Sequence, residues 1–368
     1  MTERLPRTHV FIIDGTLSRL HEGYESNAGL LYKLLRASGP SLSQTLGYHP
    51  GVQGEGWRKW LDVATGTNIN QCIESGYAAL ASRYEPGDRI MLFGYSRGAY
   101  AVRSLCGFIS RIGLLRRRHA TQRRVHRAFR YYQAEVLSPQ GYLFSTRYCH
   151  RDVRIEVIGV WDTVRALGLP VPFLTRLAPM VSDFHDHTLG DNVVHAFQAL
   201  ALDETRTAYA PLPWQEKSGW PGQMKQAWFP GAHPDVGGQL GDFPAARPLG
   251  NIPLVWMLEQ AEACGLILPR GWHENFPTDP AAPMHGARRG RARYFVTRAR
   301  RQAGLCDNEY EHSSVAARRD ALPRYRPKAR WPAGPDARRR FWKPEMADPV
   351  DDGITAGQTA EPVSGHGR

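Results

Sequence analysis

DRIMLFGYSRGAYAVRSLCGFIS, residues Asp88 to Ser110, is the stretch whose reading decides the fold. Arg89 to Phe93 form a short apolar run rich in large side chains, the pattern of a strand buried on both faces. The run enters Gly94-Tyr95-Ser96-Arg97-Gly98, after which Ala99, Val102, Leu105, Cys106 and Ile109 recur at helical spacing. A strand, a tight turn carrying a serine between two glycines, and a helix make the setting of a nucleophile elbow. In that turn, side chains at Gly94 and Gly98 would collide with the neighbouring strand and helix. Taken alone, GxSxG also suits an ordinary strand-to-helix turn; the flanking strand and helix make Ser96 the candidate nucleophile.

Working outward, His9 to Ile13 predicts a first strand that ends in Asp14-Gly15-Thr16. The dehalogenase-type phosphatase loop, DxDGT, would need an aspartate where Ile12 stands, so that chemistry is excluded. Helices are predicted over 27–37 and 68–84, and a turn-rich segment over 47–54. A basic, exposed helix is expected over 116–133. Arg154 to Asp162 (RIEVIGVWD) reads as a strong strand with Asp162 at its end, where an open parallel sheet presents its functional groups. Prolines at 170, 172 and 179 break any helix in 167–191, which reads as an irregular lid-like insertion. A helix is predicted over 193–202, a strand over 224–229 and a late helix over 252–264. Residues 1–331 thus read as one domain and 332–368, rich in Pro, Arg, Asp and Gly, as a disordered tail.

Strands alternating with helices imply an α/β fold, a mostly parallel sheet with helices on both faces. Ser96, Asp162 and His233 then fall at strand ends in the chain order nucleophile, acid, histidine, which is the order of α/β-hydrolases. A serine hydroxyl is a weak nucleophile, so His233 would take its proton and Asp162 would orient the imidazole. The backbone N–H of Arg97 and that of Gly15 or Thr16 are the candidates for the oxyanion hole. Asp14 and Asp235 are supporting candidates. Asp162 could instead cap a turn, as Asp-Thr pairs do. Asp235 stands too close in sequence to His233 to be a comfortable partner. His185, Asp186 and His187 read as a solvated polar turn rather than as metal ligands, and neither a metal nor a cofactor is expected.

The 368 residues carry a net charge of +12, with arginine clusters at 116–130, 288–301 and 338–340. Such charge suits an anionic partner, but solvated helix faces are the preferred reading of each cluster. No nucleic-acid-binding module accompanies the arginines, so nucleic acid is not the expected partner. No apolar run is long enough for a transmembrane segment, and the N-terminus lacks a signal peptide's apolar region, so a cytoplasmic setting is expected. The five cysteines form no CxxC pair, which argues against a zinc site or a disulfide framework.

Six ordered motifs resemble one family. Asp14-Gly15-Thr16, Tyr48-His49-Pro50-Gly51-Val52 and Pro86-Gly87-Asp88 leading into the elbow come first. Gly159-Val160-Trp161-Asp162-Thr163-Val164, Ala201-Leu202-Asp203-Glu204-Thr205-Arg206 and Trp228-Phe229-Pro230-Gly231-Ala232-His233-Pro234-Asp235-Val236-Gly237-Gly238 follow, and His312-Ser313-Ser314-Val315 with Tyr325-Arg326-Pro327 resembles the domain's end. Over about residues 9–330 the chain resembles the α/β-hydrolase catalytic domain of bacterial type VI secretion phospholipase effectors of Tle type. The resemblance implies Ser96, Asp162 and His233 as the triad and esterase, lipase or phospholipase chemistry on a lipid or other acyl ester. It further implies a secretion-spike or immunity protein as partner, type VI export and transient contact with a membrane surface. Gln239 stands where the family often carries a third glycine, so a stiffer histidine loop is expected. The alternative reading is a non-catalytic scaffold of the same fold that binds a partner or an anionic surface through its arginines.

Overall fold

The computed structural model describes residues 4–39, 41–52, 67–134, 136–164, 189–215, 219–290 and 295–332. Among them are nine strands: β1 (Thr8–Ile13), β2 (Gln44–His49), β3 (Arg89–Tyr95), β4 (Leu114–Leu115), β5 (Cys149–His150), β6 (Ile155–Trp161), β7 (Val193–Ala201), β8 (Gln223–Phe229) and β9 (Glu309–Glu311). Seven of these make one sheet in the order β2-β1-β3-β6-β7-β8-β9, while β4 and β5 form a separate ribbon. Every pair in the large sheet is parallel. Parallel neighbours cannot be joined by a hairpin, and the inner strands β1, β3 and β6 are buried on both faces.

Alternate residues of the strands feed two cores. Phe11, Ile13, Leu92 and Ile158 pack with Tyr77 of α2 (Thr67–Ala81), Val102 and Leu105 of α3 (Arg97–Ile112) and Phe129 of α4 (Gln122–Gln133). Ile12, Phe93, Val157 and Phe197 face Leu31 and Leu35 of α1 (Asn27–Ala37) and Met257 of α7 (Arg247–Ala263) on the other side. Fully burying one such side chain stabilises by roughly 1.5–3 kcal/mol, so the two faces together dominate folding. The remaining helices are α5 (Pro139–Tyr148), α6 (His233–Gly237) and α8 (Ser313–Ala321).

Because the strands are parallel, the loops after β1, β3, β6 and β8 all leave the same edge of the sheet. Strand order reverses between β1 and β3, and that crevice is where open α/β sheets bind ligands. The loop Asp14-Gly15-Thr16 and the turn at Ser96 flank it.

Several sequence expectations are corrected. Residues 193–202 are not a helix: Val193–Ala201 is β7, paired with β6 and β8. Its apolar residues fit either period, but two neighbouring strands satisfy its backbone. Its polar mid-strand residue Gln198 is also buried and bonds Gln226 (3.1 Å). Gln44–His49 is an edge strand whose last three residues fall where turns were expected, and a Cβ on Gly47 would lie 2.5 Å from the Phe11 ring. The basic helix begins at Gln122, after a 3₁₀ turn, and buries Val125, Ala128, Phe129 and Tyr132. The late helix starts at Arg247, five residues early, and β9, α5 and α8 were not foreseen. Nearly all of the lid-like 167–191, with His185, Asp186 and His187, and the tail beyond 332 lie outside the described residues.

Candidate active site

Ser96 stands between β3 and α3 with φ 57° and ψ −121°, a conformation that strains any residue with a Cβ. Its neighbours force the turn. A Cβ on Gly98 would lie 2.2 Å from the carbonyl oxygen of Asp14, and one on Gly94 would lie 2.7 Å from that of Gly98. The Ser96 N–H donates to the Trp161 carbonyl (3.0 Å), which ties the turn to the end of β6. Among the described residues three non-glycines have positive φ, and two of them are Ser96 and Asp162 (42°).

The three strand ends meet. His233, the first residue of α6, lies with Nε2 2.8 Å from Ser96 Oγ. Its Nδ1 is 2.6 Å from Asp162 Oδ2. The ring stacks on Tyr95 (4.9 Å between centroids) and meets the edge of Tyr209 (4.8 Å). The Tyr95 hydroxyl reaches the His233 carbonyl (3.4 Å). Burial pushes the His233 imidazole below its ordinary pKa and the Asp162 carboxylate counteracts this only in part, which favours the neutral ring, the form that accepts a proton.

Asp162 does not cap its own turn. Its Oδ1 accepts from the Ala201 N–H (3.0 Å) across the sheet, while Thr163 Oγ1 donates to Gln198 (2.8 Å). A cation also reaches it: Arg301 Nη1 donates to Oδ1 (2.5 Å) and Nη2 to Oδ2 (2.9 Å). Burial by itself would raise the Asp162 pKa, but the Arg301 charge and the bonds from His233 and Arg301 hold it well below the carboxylate range. Arg301 is buried and so is an exception to the solvated-face reading of the 288–301 cluster, in which Arg288, Arg289 and Arg300 are exposed. Sequence reasoning missed it because Arg300 and Arg301 stand side by side in an arginine-rich run with no periodic signal.

The other expected residues fall around this centre. Asp14 is fully buried and accepts from the Gly15 N–H (2.6 Å), Ser26 Oγ (2.5 Å) and the Tyr48 hydroxyl (2.8 Å), with burial raising its pKa. It therefore shapes the β1–α1 loop, and the Gly15 N–H is already engaged. The hydroxyl of Thr16 is buried with no hydrogen-bond partner. Arg97 opens α3, so its N–H has no acceptor within the helix. Gln239 Nε2 donates to the Thr16 carbonyl (3.2 Å), joining the histidine loop to the β1–α1 loop. Asp235 turns away from the imidazole: it accepts from the N–H groups of Ala232 (2.9 Å), His285 (2.6 Å) and Gly286 (2.9 Å) and so pins two loops together.

The family-like Ala201–Arg206 segment supports the histidine from behind. Glu204 Oε2 accepts from the His233 N–H (3.2 Å) and holds Arg206 in a two-pronged pair (2.9 and 2.7 Å). Although burial opposes it, Arg206 lowers the Glu204 carboxyl to about 2. The Arg206 guanidinium lies 3.8 Å from the centre of the Tyr209 ring. Asp203 accepts from the Gly231 N–H (2.9 Å) and the Tyr325 hydroxyl (2.7 Å), which closes the late segment onto the sheet. His312 caps α8 and stacks on Phe229 (4.5 Å). No group of three or more His, Cys, Asp or Glu among the described residues could hold a metal ion, and no described helix is long and apolar enough to cross a membrane.

A parallel sheet with a serine on a strained turn after its third strand, a histidine against that serine and an acid behind the histidine belongs to the α/β-hydrolase-like class. Residues 7–260 match the family described as "T6SS, Phospholipase effector Tle1-like, catalytic domain", and the chain belongs to that family. A relative in Saccharomyces cerevisiae, "Uncharacterized protein YEL023C", is 29% identical over 243 residues. That match covers 56% of this chain and 33% of the relative, so the chain spans about a third of the yeast protein's length. Two solved structures are similar. "Structure of the Tle1 effector bound to the VgrG spike from the Type 6 secretion system" has a TM-score of 0.38 and 19% identity, and covers 64% of this chain and 51% of that one. An uncharacterized protein from Pseudomonas aeruginosa has a TM-score of 0.44 and 17% identity, and covers 74% and 49%.

Proposed function

We propose that this chain is a serine hydrolase of acyl esters, with phospholipid as its substrate class, working through a covalent acyl-enzyme. The observation that carries the reading is the imidazole of His233 lying between Ser96 Oγ and Asp162 Oδ2 at 2.8 and 2.6 Å. As Ser96 Oγ attacks the ester carbonyl, Nε2 takes its proton, and the imidazolium that forms is stabilised through Nδ1–H by Asp162. The same proton passes to the leaving alcohol as the C–O bond breaks. Water then repeats the sequence in reverse and frees the acid and Ser96. The negative oxygen of each tetrahedral intermediate would be met by the Arg97 N–H and, since the Gly15 N–H serves Asp14, by the N–H or hydroxyl of Thr16. No step calls for a cofactor. The unit that performs this is read as residues 1–331, because Arg301 and Tyr325 both close on the site's supporting residues.

A fluorophosphonate probe tests the reading: wild type should be labelled at Ser96, and Ser96→Ala and His233→Ala should not. A folded wild-type protein that takes no label and hydrolyses no ester would sink it and favour the scaffold alternative. Vesicles of phospholipid with distinct sn-1 and sn-2 chains would report which ester is cut. Family membership supports type VI export with a spike protein as partner. Co-purification of this chain with a spike encoded beside its gene is the expected result, and its failure would remove that partner.

A further inference from the structure

We infer that Arg301 is a positioning residue of the proposed triad: its guanidinium clamps the Asp162 carboxylate in the plane that His233 needs and balances its charge. The inference rests on the reading of Ser96 as nucleophile. Its observations are separate from those that carry that reading, since Arg301 lies beyond residue 260, where the family match ends.

The geometry is a saturated carboxylate. An ionised carboxylate offers about four lone-pair sites. Asp162 Oδ1 accepts from the Ala201 N–H and Arg301 Nη1, and Oδ2 accepts from His233 Nδ1 and Arg301 Nη2. With all four sites taken the acid cannot rotate, and Oδ2 is held on the imidazole. The clamp is itself held. Arg301 Nη1 donates to the Ala201 carbonyl (3.1 Å) and Nη2 to the Tyr209 carbonyl (2.5 Å). Its backbone is pinned on both sides, by Ala299 N–H to Thr205 (2.8 Å) and by Arg330 N–H to the Arg301 carbonyl (2.8 Å). Only 4% of its side chain is exposed, so solvent does not screen the pair.

The charges around His233 give the proposal a signature that mere structural support lacks. The ring and backbone of His233 face Ser96, Tyr95, Tyr209, Asp162, Glu204 and Arg206, with Arg301 behind Asp162. With a neutral imidazole, two carboxylates and two guanidinium groups cancel. Removal of the Arg301 charge leaves an excess negative charge beside the ring, which favours the imidazolium. The proton must then be lost at a higher pH before Ser96 can be activated.

The test is the rate of fluorophosphonate labelling of Ser96 in the full chain as a function of pH, for wild type, Arg301→Gln, Arg301→Lys and Arg318→Gln. Arg318, an equally buried arginine that donates to the carbonyls of Pro280 and Ala282 and lies 5.0 Å from the centre of the Tyr325 ring, serves as control. Arg301→Gln should label at least about ten-fold more slowly near neutrality, with the midpoint of the acid limb about one unit higher. Arg301→Lys, which keeps the charge but not the fork, should keep the wild-type midpoint and recover part of the rate. Arg318→Gln should leave the midpoint where it is. A wild-type rate and midpoint in Arg301→Gln would overturn the inference, as would a slower rate with an unmoved midpoint. If Arg301→Gln does not fold, Arg301→Lys decides: a slower rate at the wild-type midpoint supports the clamp, and a wild-type rate overturns it. A wild-type protein that takes no label defeats the nucleophile reading instead, so the two failures are told apart.

Discussion

Two histidines with similar sequence settings differ in what they touch. His233 meets a hydroxyl and a carboxylate, whereas His312 accepts from the Ser314 N–H and packs on Phe229. Replacing His233 by Ala should therefore lower kcat/KM by on the order of 10³-fold or more with little change in Tm. His312→Ala should leave kcat within a few-fold and lose about 1 kcal/mol of stability, as removal of a helix cap does. Steady-state kinetics and thermal melts of the two variants would show a swapped assignment as a swapped pattern. Asp162, the proposed triad acid, is also paired with Arg301. Asp162→Asn should cost about 10⁴-fold in kcat by permitting the wrong imidazole tautomer. It also leaves the buried Arg301 without its counter-ion, so a loss of roughly 3–5 kcal/mol in stability is expected as well. The double variant Asp162→Asn with Arg301→Gln should regain part of that stability in a denaturant titration and none of the activity. Equal stabilities of the single and double variants would mean the pair is uncoupled.

At the scale of the element, the β3–α3 unit works because two backbones approach where no side chain fits. The Cβ of an alanine at Gly98 would sit 2.2 and 2.3 Å from the carbonyl oxygens of Asp14 and Ile13, both main-chain atoms that cannot swing aside. Gly98→Ala should destabilise by several kcal/mol or prevent folding, whereas Gly23→Ala, at a position with open space but φ 81°, should cost only about 1 kcal/mol. Denaturant midpoints of the two variants check this, and equal values would mean the close approach is not what fixes the turn. The histidine loop is built differently, through side chains. Asp235 holds residues 285–286 against it, Gln239 reaches Thr16, and Gly238 adopts φ 73° at the C-cap of α6. The Gln239 side chain thereby ties two loops at the site's rim.

For the whole molecule, pH sensitivity follows from buried histidines. Burial holds the half-buried His312 at about 4, against an ordinary value near 6.5. The unfolded chain then binds more protons than the folded one between those values, so stability falls as pH drops from about 6.5 towards 4. His233 is shifted in the same direction. Asp162, held low, adds its own loss below the ordinary carboxylate range near 3.9. The expected result is a Tm that declines with acid from about pH 6.5, with a shallower slope in His312→Gln. An unchanged slope in that variant would show that other groups control the decline.

The elbow could be read from residues 88–110 because everything it needs is local: a buried strand, two glycines and a helix period within one stretch. Asp162 and His233 could be read because parallel strands deliver their ends to one edge, so order along the chain predicts a meeting in space. β7 could not. Its apolar pattern suits both periods, and only β6 and β8, supplying hydrogen bonds on each side of Val193–Ala201, made it a strand. Nor could Arg301, one arginine in a basic run. Its partner lies 139 residues away, and only the folded path that passes under Thr205 and Arg330 places its guanidinium on Asp162. The sequence by itself thus determined the elbow and the strand-end groups, whose geometry is set by sterics between near neighbours. Tertiary structure alone decided which buried charges compensate one another, because that pairing depends on distance in space and carries no period along the chain.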